Sequence, residues 1–197
     1  MMDNDKLVLF KTQNSNCNNN VGNILNSGCS IYCELFGENF KTALQLVNSG
    51  YQGRIVVHTN NIALRNFWIL LRTDWEKLYS KIIQLEDILS GYFTNTERVM
   101  ALKYWRESGV IIKEAAAEFC TKVHCSDISK HNWDREYIST LRNKFQTING
   151  LLQNIEISNE SNYLAVIRSI DSKDTIFNIL DTDIDIEPVL ENIKGKR

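Results

Sequence analysis

Glu34 breaks a short apolar segment, Ile31–Phe36, that ends at Gly37. A carboxylate in that place is either a ligand contact or a strand-end charge stabilised by the N-terminus of a following helix. His58 and Thr59 close a second apolar segment, where a strand-end role outweighs a ligand role. The cysteines Cys17, Cys29, Cys33, Cys120 and Cys125 include the spacings Cys29-x3-Cys33 and Cys120-x3-His124-Cys125. Neither is the tight paired-cysteine knuckle that structural zinc prefers, and Cys33 falls inside an expected buried strand, so no metal site is expected. The scattered, odd set reads as reduced thiols. Further along, Arg98, Lys103, Arg106, Lys113, Lys122 and Lys130 are interleaved with Tyr104, Trp105, His124, His131 and Trp133. Basic and aromatic residues mixed in this way can contact phosphates and stack on bases. Acidic residues spread from Glu97 to Glu136 make an ordinary solvated helical face an equal reading. No serine, histidine or cysteine pairing for nucleophilic catalysis is singled out by the sequence.

These residues must be positioned by the elements around them. Residues 12–30 are rich in Asn, Ser and Gly and read as a loop after a short strand-like piece, Leu7–Phe10. A strand is predicted over Ile31–Phe36 and a helix over Phe40–Asn48, stopped by Asn48-Ser49-Gly50. Ile55-Val56-Val57 within Arg54–His58 is a β-branched run suited to a buried parallel strand. Amphipathic helices follow, one marked by Leu64, Phe67, Trp68 and Leu71, the next by Trp75, Leu78, Ile82 and Leu85. The tryptophans Trp68 and Trp75 are expected in the core. Thr96–Val123 and Asp134–Gly150 look helical, with a polar loop between them. Strand grammar resumes at Asn154–Ile157, followed by a helix over Ser161–Ile170 and a strand over Thr175–Leu180. The expected fold class is α/β, a partial Rossmann-like, mostly parallel sheet with a helical insertion.

Bulk properties exclude some classes. No stretch approaches the roughly 18 uninterrupted apolar residues that a membrane span needs. The N-terminus, MMDNDKLVLFK, lacks the basic region of a signal peptide, so a cytoplasmic protein is expected. A formal net charge of -2 gives no basic excess, and any nucleic-acid contact must then come from a local patch.

Several segments, in order, resemble the Dam-type (D12 class) adenine-N6 DNA methyltransferases. Tyr32-Cys33-Glu34-Leu35-Phe36-Gly37 is similar to the first family motif, Y-x-E-P-F-x-G-G-G. Val56–Asn61 stands where the family has its second strand and following turn. Asn66-Phe67-Trp68 through Arg72, with Trp75-Glu76-Lys77-Leu78, resembles the helix after it. Ala101–Trp105 is similar to the start of the family's target-recognition insert, and Asp171–Phe177 to the approach to its catalytic strand. The resemblance covers roughly residues 30 to 184. It implies a methyltransferase-type core over 31–93 and 154–184, a recognition-lobe-like insert over 94–153, an N-terminal strand and loop over 1–30, and a tail over 185–197. It implies S-adenosylmethionine contacts at Glu34, Phe36, Gly37 and Thr59, and nucleic-acid contacts at Arg98, Lys103, Arg106, Lys122 and Lys130.

The departures matter more for function. Where the family reads D-P-P-Y, and an acidic residue and an aromatic ring hold the flipped adenine, this chain reads Asp181-Thr182-Asp183-Ile184. A shift of register that puts Leu180 in the acidic slot supplies neither prolines nor ring. The glycine turn has become Gly37-Glu38-Asn39, adding side chains where backbone must approach a ligand, and Thr59 stands at an acidic position. The expectation is a catalytically inactive relative with no catalytic residues and no bound cofactor. It would act by binding DNA or a protein partner, and would interfere with a restriction or defence system. Its Asn- and Ile-rich composition fits a phage or mobile element. The alternative is an active, or partner-completed, S-adenosylmethionine-dependent adenine methyltransferase. Because the family's later strands have no counterpart after Ile184, Thr175–Leu180 is expected at the sheet edge, where a second copy could pair with it as a homodimer.

Overall fold

The computed structural model describes residue 9 and residues 21–92, 94–124, 135–160, 162–170 and 173–179. Within these, the chain runs α1 (Val21–Asn26), β1 (Ile31–Leu35), α2 (Lys41–Asn48), β2 (Arg54–His58), α3 (Ile62–Thr73), α4 (Trp75–Ser90), α5 (Asn95–Arg106), α6 (Ile111–His124), α7 (Arg135–Leu152), β3 (Glu156–Ile157), α8 (Tyr163–Ser169) and β4 (Thr175–Ile179). The described strands form one parallel sheet in the order β3-β2-β1-β4, with Glu34 opposite Val57 on one side and Asn178 on the other. This is the expected α/β class. Strands flanked on both faces need apolar side chains at almost every position, and β1 and β2 are buried along nearly their whole length.

The chain separates into two compact units. Of the described residues, the sheet unit takes in those of 21–60 and 151–179, and the helical unit takes in those of 61–150 together with residue 9. In the sheet unit Cys33, Leu35 and Val56 pack with Val166, Ile167 and Ile170, so α8 covers one face of the sheet. Tyr32 and Glu34 point to the other face, where the carboxylate meets the first turn of α2. Among the described strands β4 stands at the end of the order.

In the helical unit Phe67 of α3 stacks on Phe119 of α6, with ring centroids 5.3 Å apart and planes 17° from parallel. Phe145 of α7 meets both rings edge-on, at 5.9 and 5.6 Å. Phe67 buries its ring against α6 and α7, and α3 and α4 fall with the later helices in the helical unit.

Other expectations are corrected locally. The polar stretch 12–30 contains α1, because Ile24 is buried in spite of its Asn- and Ser-rich surroundings. The single helix expected over Thr96–Val123 is broken into α5 and α6 at Gly109, whose φ of 70° belongs to a left-handed turn. Trp68 is wholly buried, but Trp75 is only half-buried, because it opens α4 where that helix meets solvent. Leu7–Phe10 falls almost entirely outside the described residues.

The caps follow from side chains at hand. Asn61 caps α3 by accepting from Leu64 N at 3.0 Å, and its amide donates to Glu118 at 2.8 Å. Thr94 and Glu97 form a reciprocal capping box on α5. Truncating the ring shared by three helices should cost more than losing a cap. Phe145→Ala is expected to lower the stability of the helical unit by about 3 to 5 kcal/mol, and Asn61→Ala by about 1 to 2 kcal/mol. Urea unfolding followed by tryptophan fluorescence measures both, since Trp68, Trp75, Trp105 and Trp133 all fall between 61 and 150.

Candidate functional site

In the sheet unit, β1 passes through α2 to its neighbour β2, whereas β4 arrives through α8 on the opposite side of β1. The strand order therefore reverses at β1, and open parallel sheets bind ligands beyond the carboxyl ends of the strands at such a point. Glu34, Phe36 and Gly37 lie at that end of β1, and Thr59 lies at the same end of β2. The sequence-derived cofactor residues are thus brought together at one end of the sheet.

Their geometry turns inward. Glu34 has no exposed surface. Its Oε2 accepts from the Tyr32 hydroxyl at 3.2 Å and from Ala43 N in the first turn of α2 at 3.2 Å. The Asn178 amide donates to the Tyr32 hydroxyl at 2.7 Å. Helix α2 has Phe40 at its cap position and no side-chain cap of its own, so the strand carboxyl stands in for one. Glu34 Oε1 has no partner and faces Gly37, where an added Cβ would lie 2.6 Å from it and 2.7 Å from the Phe40 ring. Gly37 is therefore required by close approach. Phe36 and Phe40 flank it with φ of 62° and 47°, an uncommon conformation for bulky residues. The Phe36 ring rests on Tyr163 of α8, centroids 5.0 Å apart, with His58 edge-on at 6.5 Å.

Burial is the main cause that pushes the Glu34 carboxyl up to about 7, against the lowering effect of its bonds to Ala43 and Tyr32. The same burial, with Glu34 beside them, raises the Tyr32 hydroxyl well above its ordinary range and the Cys33 thiol to about 12. Cys33 is thus an inert core thiol. Cys120 is likewise buried with a raised thiol, and among the described residues no group of three His, Cys, Asp or Glu side chains is placed to hold a metal ion.

The expected nucleic-acid residues are placed as follows. Arg98 donates to the carbonyls of Leu89 and Tyr92, both at 3.1 Å, and so ties off the end of α4. Arg106 donates to Thr121 Oγ1 at 2.8 Å and lies 3.5 Å from Glu118 Oε2. Lys103 is exposed, 3.9 Å from Glu107, and Lys122 is half-buried. Lys130 and the segment Asp181–Ile184 lie outside the described residues. Beside the cations, α5 and the start of α6 expose Val99, Met100, Tyr104, Val110 and Ile111.

The sequence reading missed Tyr32, Phe40, Tyr163 and Asn178. Tyr32 was legible, since residues two apart on a strand share a face. The cap role of Glu34 was masked in the sequence by Asn39, which stands where an N-cap of the predicted helix belongs.

A raised carboxyl favours the folded state below its unfolded value of 4.5, and that contribution is lost as pH rises towards about 7. Relative to Glu34→Gln, the wild type is therefore expected to lose on the order of 3 kcal/mol across this window and nothing further above it. Urea titrations of both proteins by far-ultraviolet circular dichroism measure the difference.

No protein-family model matches the chain, and no curated protein matches it significantly.

Proposed function

We propose that the protein is a methyltransferase-like module that transfers no methyl group and works by binding a partner. The observation that carries this reading is the commitment of Glu34 to its own fold. A carboxyl that would face a ligand is instead buried, bonded to Tyr32 and to the first turn of α2, and packed under Gly37. The sequence departures at Glu38, Asn39, Thr59 and Asp181–Ile184 point the same way. Calorimetric titration with S-adenosylmethionine is expected to give a dissociation constant weaker than about 10 μM, equivalent to roughly -7 kcal/mol. Labelled methyl groups incorporated into DNA, in a reaction abolished by Asp181→Ala, would overturn the reading.

Among partners, a protein is favoured over DNA. Phosphate recognition uses extended, available cations, whereas Arg98 and Arg106 are bonded within the helical unit. The exposed Val99, Met100 and Tyr104 on α5 are suited to an apolar contact. Fluorescence anisotropy with duplex DNA is expected to show no salt-dependent binding. Salt-sensitive binding that is weakened by Lys103→Ala and Lys122→Ala would return the reading to DNA.

A further inference from the structure

We propose that the turn from Phe36 to Phe40 is a two-state element, held closed by a proton on Glu34 Oε1, and that loss of this proton releases the turn from β2. The inference goes beyond the binding reading and does not depend on it. Both donors to the carboxyl, Tyr32 Oη and Ala43 N, reach Oε2. Oε1 has none, so the neutral acid carries its proton there. An ionised carboxylate would keep its two donors on Oε2 but leave Oε1 a buried anionic oxygen with none, which a protein interior does not tolerate without rearrangement.

Among the described residues no cation bonds the carboxyl. On β1 the neighbours are Tyr32 and Cys33, both kept neutral by burial. On β4 the facing residue is Asn178, and on β2 it is Val57, followed by the titratable His58, whose Nε2 pairs with Asn60 Oδ1 and whose ring lies edge-on to Phe36. On α2 the Ala43 N–H is already used, and Thr42 bonds the Tyr32 hydroxyl. The charged residues of the adjoining segment are Glu38, half-buried in the turn, and Lys41, exposed at the start of α2, and neither bonds the carboxyl.

The turn itself can supply donors. It belongs to neither the strand ladder nor α2, and it holds Phe36 and Phe40 in left-handed conformations whose strain is relieved on release. Its Gly37 N–H is tied to the His58 carbonyl of β2 at 3.2 Å. Breaking that bond frees the Gly37 N–H to turn towards Oε1, which already lies against Gly37. The carboxyl sits near its midpoint at neutral pH, so both states fall within an accessible range.

The test is amide nuclear magnetic resonance of the full chain from about pH 5 to about pH 9, following Gly37 N–H and the Glu34 side-chain carbonyl carbon together. In the wild type both signals are expected to titrate with one shared midpoint, and Gly37 hydrogen exchange to accelerate beyond its ordinary pH dependence above it. In Glu34→Gln the Gly37 signal is expected to stay flat and protected. Tyr32→Phe removes a donor to the carboxylate and is expected to move the midpoint up by about one pH unit. A Gly37 signal that is flat in the wild type, or that titrates unchanged in Glu34→Gln, overturns the proposal. Should Glu34→Gln fail to fold, the wild type decides alone: separate midpoints for Gly37 and Glu34 overturn it, and a common one supports it.

Discussion

The sheet unit depends on one carboxyl held between a tyrosine hydroxyl and a helix N-terminus. Glu34 joins β1 to α2, and through Tyr32 it reaches Asn178 on β4. A side chain of that polarity in the middle of a parallel sheet draws donors to it, and here Oε2 takes two, one from Tyr32 on its own strand and one from α2, while Asn178 of β4 reaches it only through Tyr32. The arrangement fixes which face of β1 looks at α2. It also explains why the residues after β1 are so constrained: Gly37 has to pass close to the carboxyl, and the chain bends through two left-handed phenylalanines to do so. Polar networks of this kind specify a packing more sharply than apolar contact does, because each member leaves an orphan if it moves.

The helical unit is organised on a different principle. Its centre is apolar and aromatic, with Phe67, Phe119 and Phe145 in mutual contact. Its charged residues mostly serve at helix ends or in pairs, as Arg98 does at the end of α4 and Glu118 does between Asn61 and Arg106. A basic residue in a helical lobe is therefore no guide to its use until its partners are known.

That difference sets what could be read in advance. The β-branched run Ile55-Val56-Val57 and the helical spacing of Leu64, Phe67, Trp68 and Leu71 announce their elements, because burial is written into residue type and period. The position of Glu34 at a strand end and its two competing roles were equally legible. Its actual partners were not, since Asn178 is remote in sequence and local patterns carry no pairing information. The grouping of the helices was not legible for the same reason. Nothing in α3 says that Phe67 will seek Phe119 in preference to the sheet. The short helix α1 was hidden because one buried residue, Ile24, outweighs a polar context that propensity reads as loop.

The placement of β4 at the end of the chain order, and beside β1 in space, has a consequence for synthesis. When β1, α2 and β2 leave the ribosome, Asn178 has not yet been made, and the whole of 61–150 is translated first. The helical unit, with its contacts closer in sequence, can condense during that interval. The nascent β1 must meanwhile go without its β4 ladder, and Tyr32 without its amide partner. Among the described strands β4 thus acts as a closing step, and ribosome-bound chains that stop before Thr175 would carry a finished helical unit and a sheet still lacking β4.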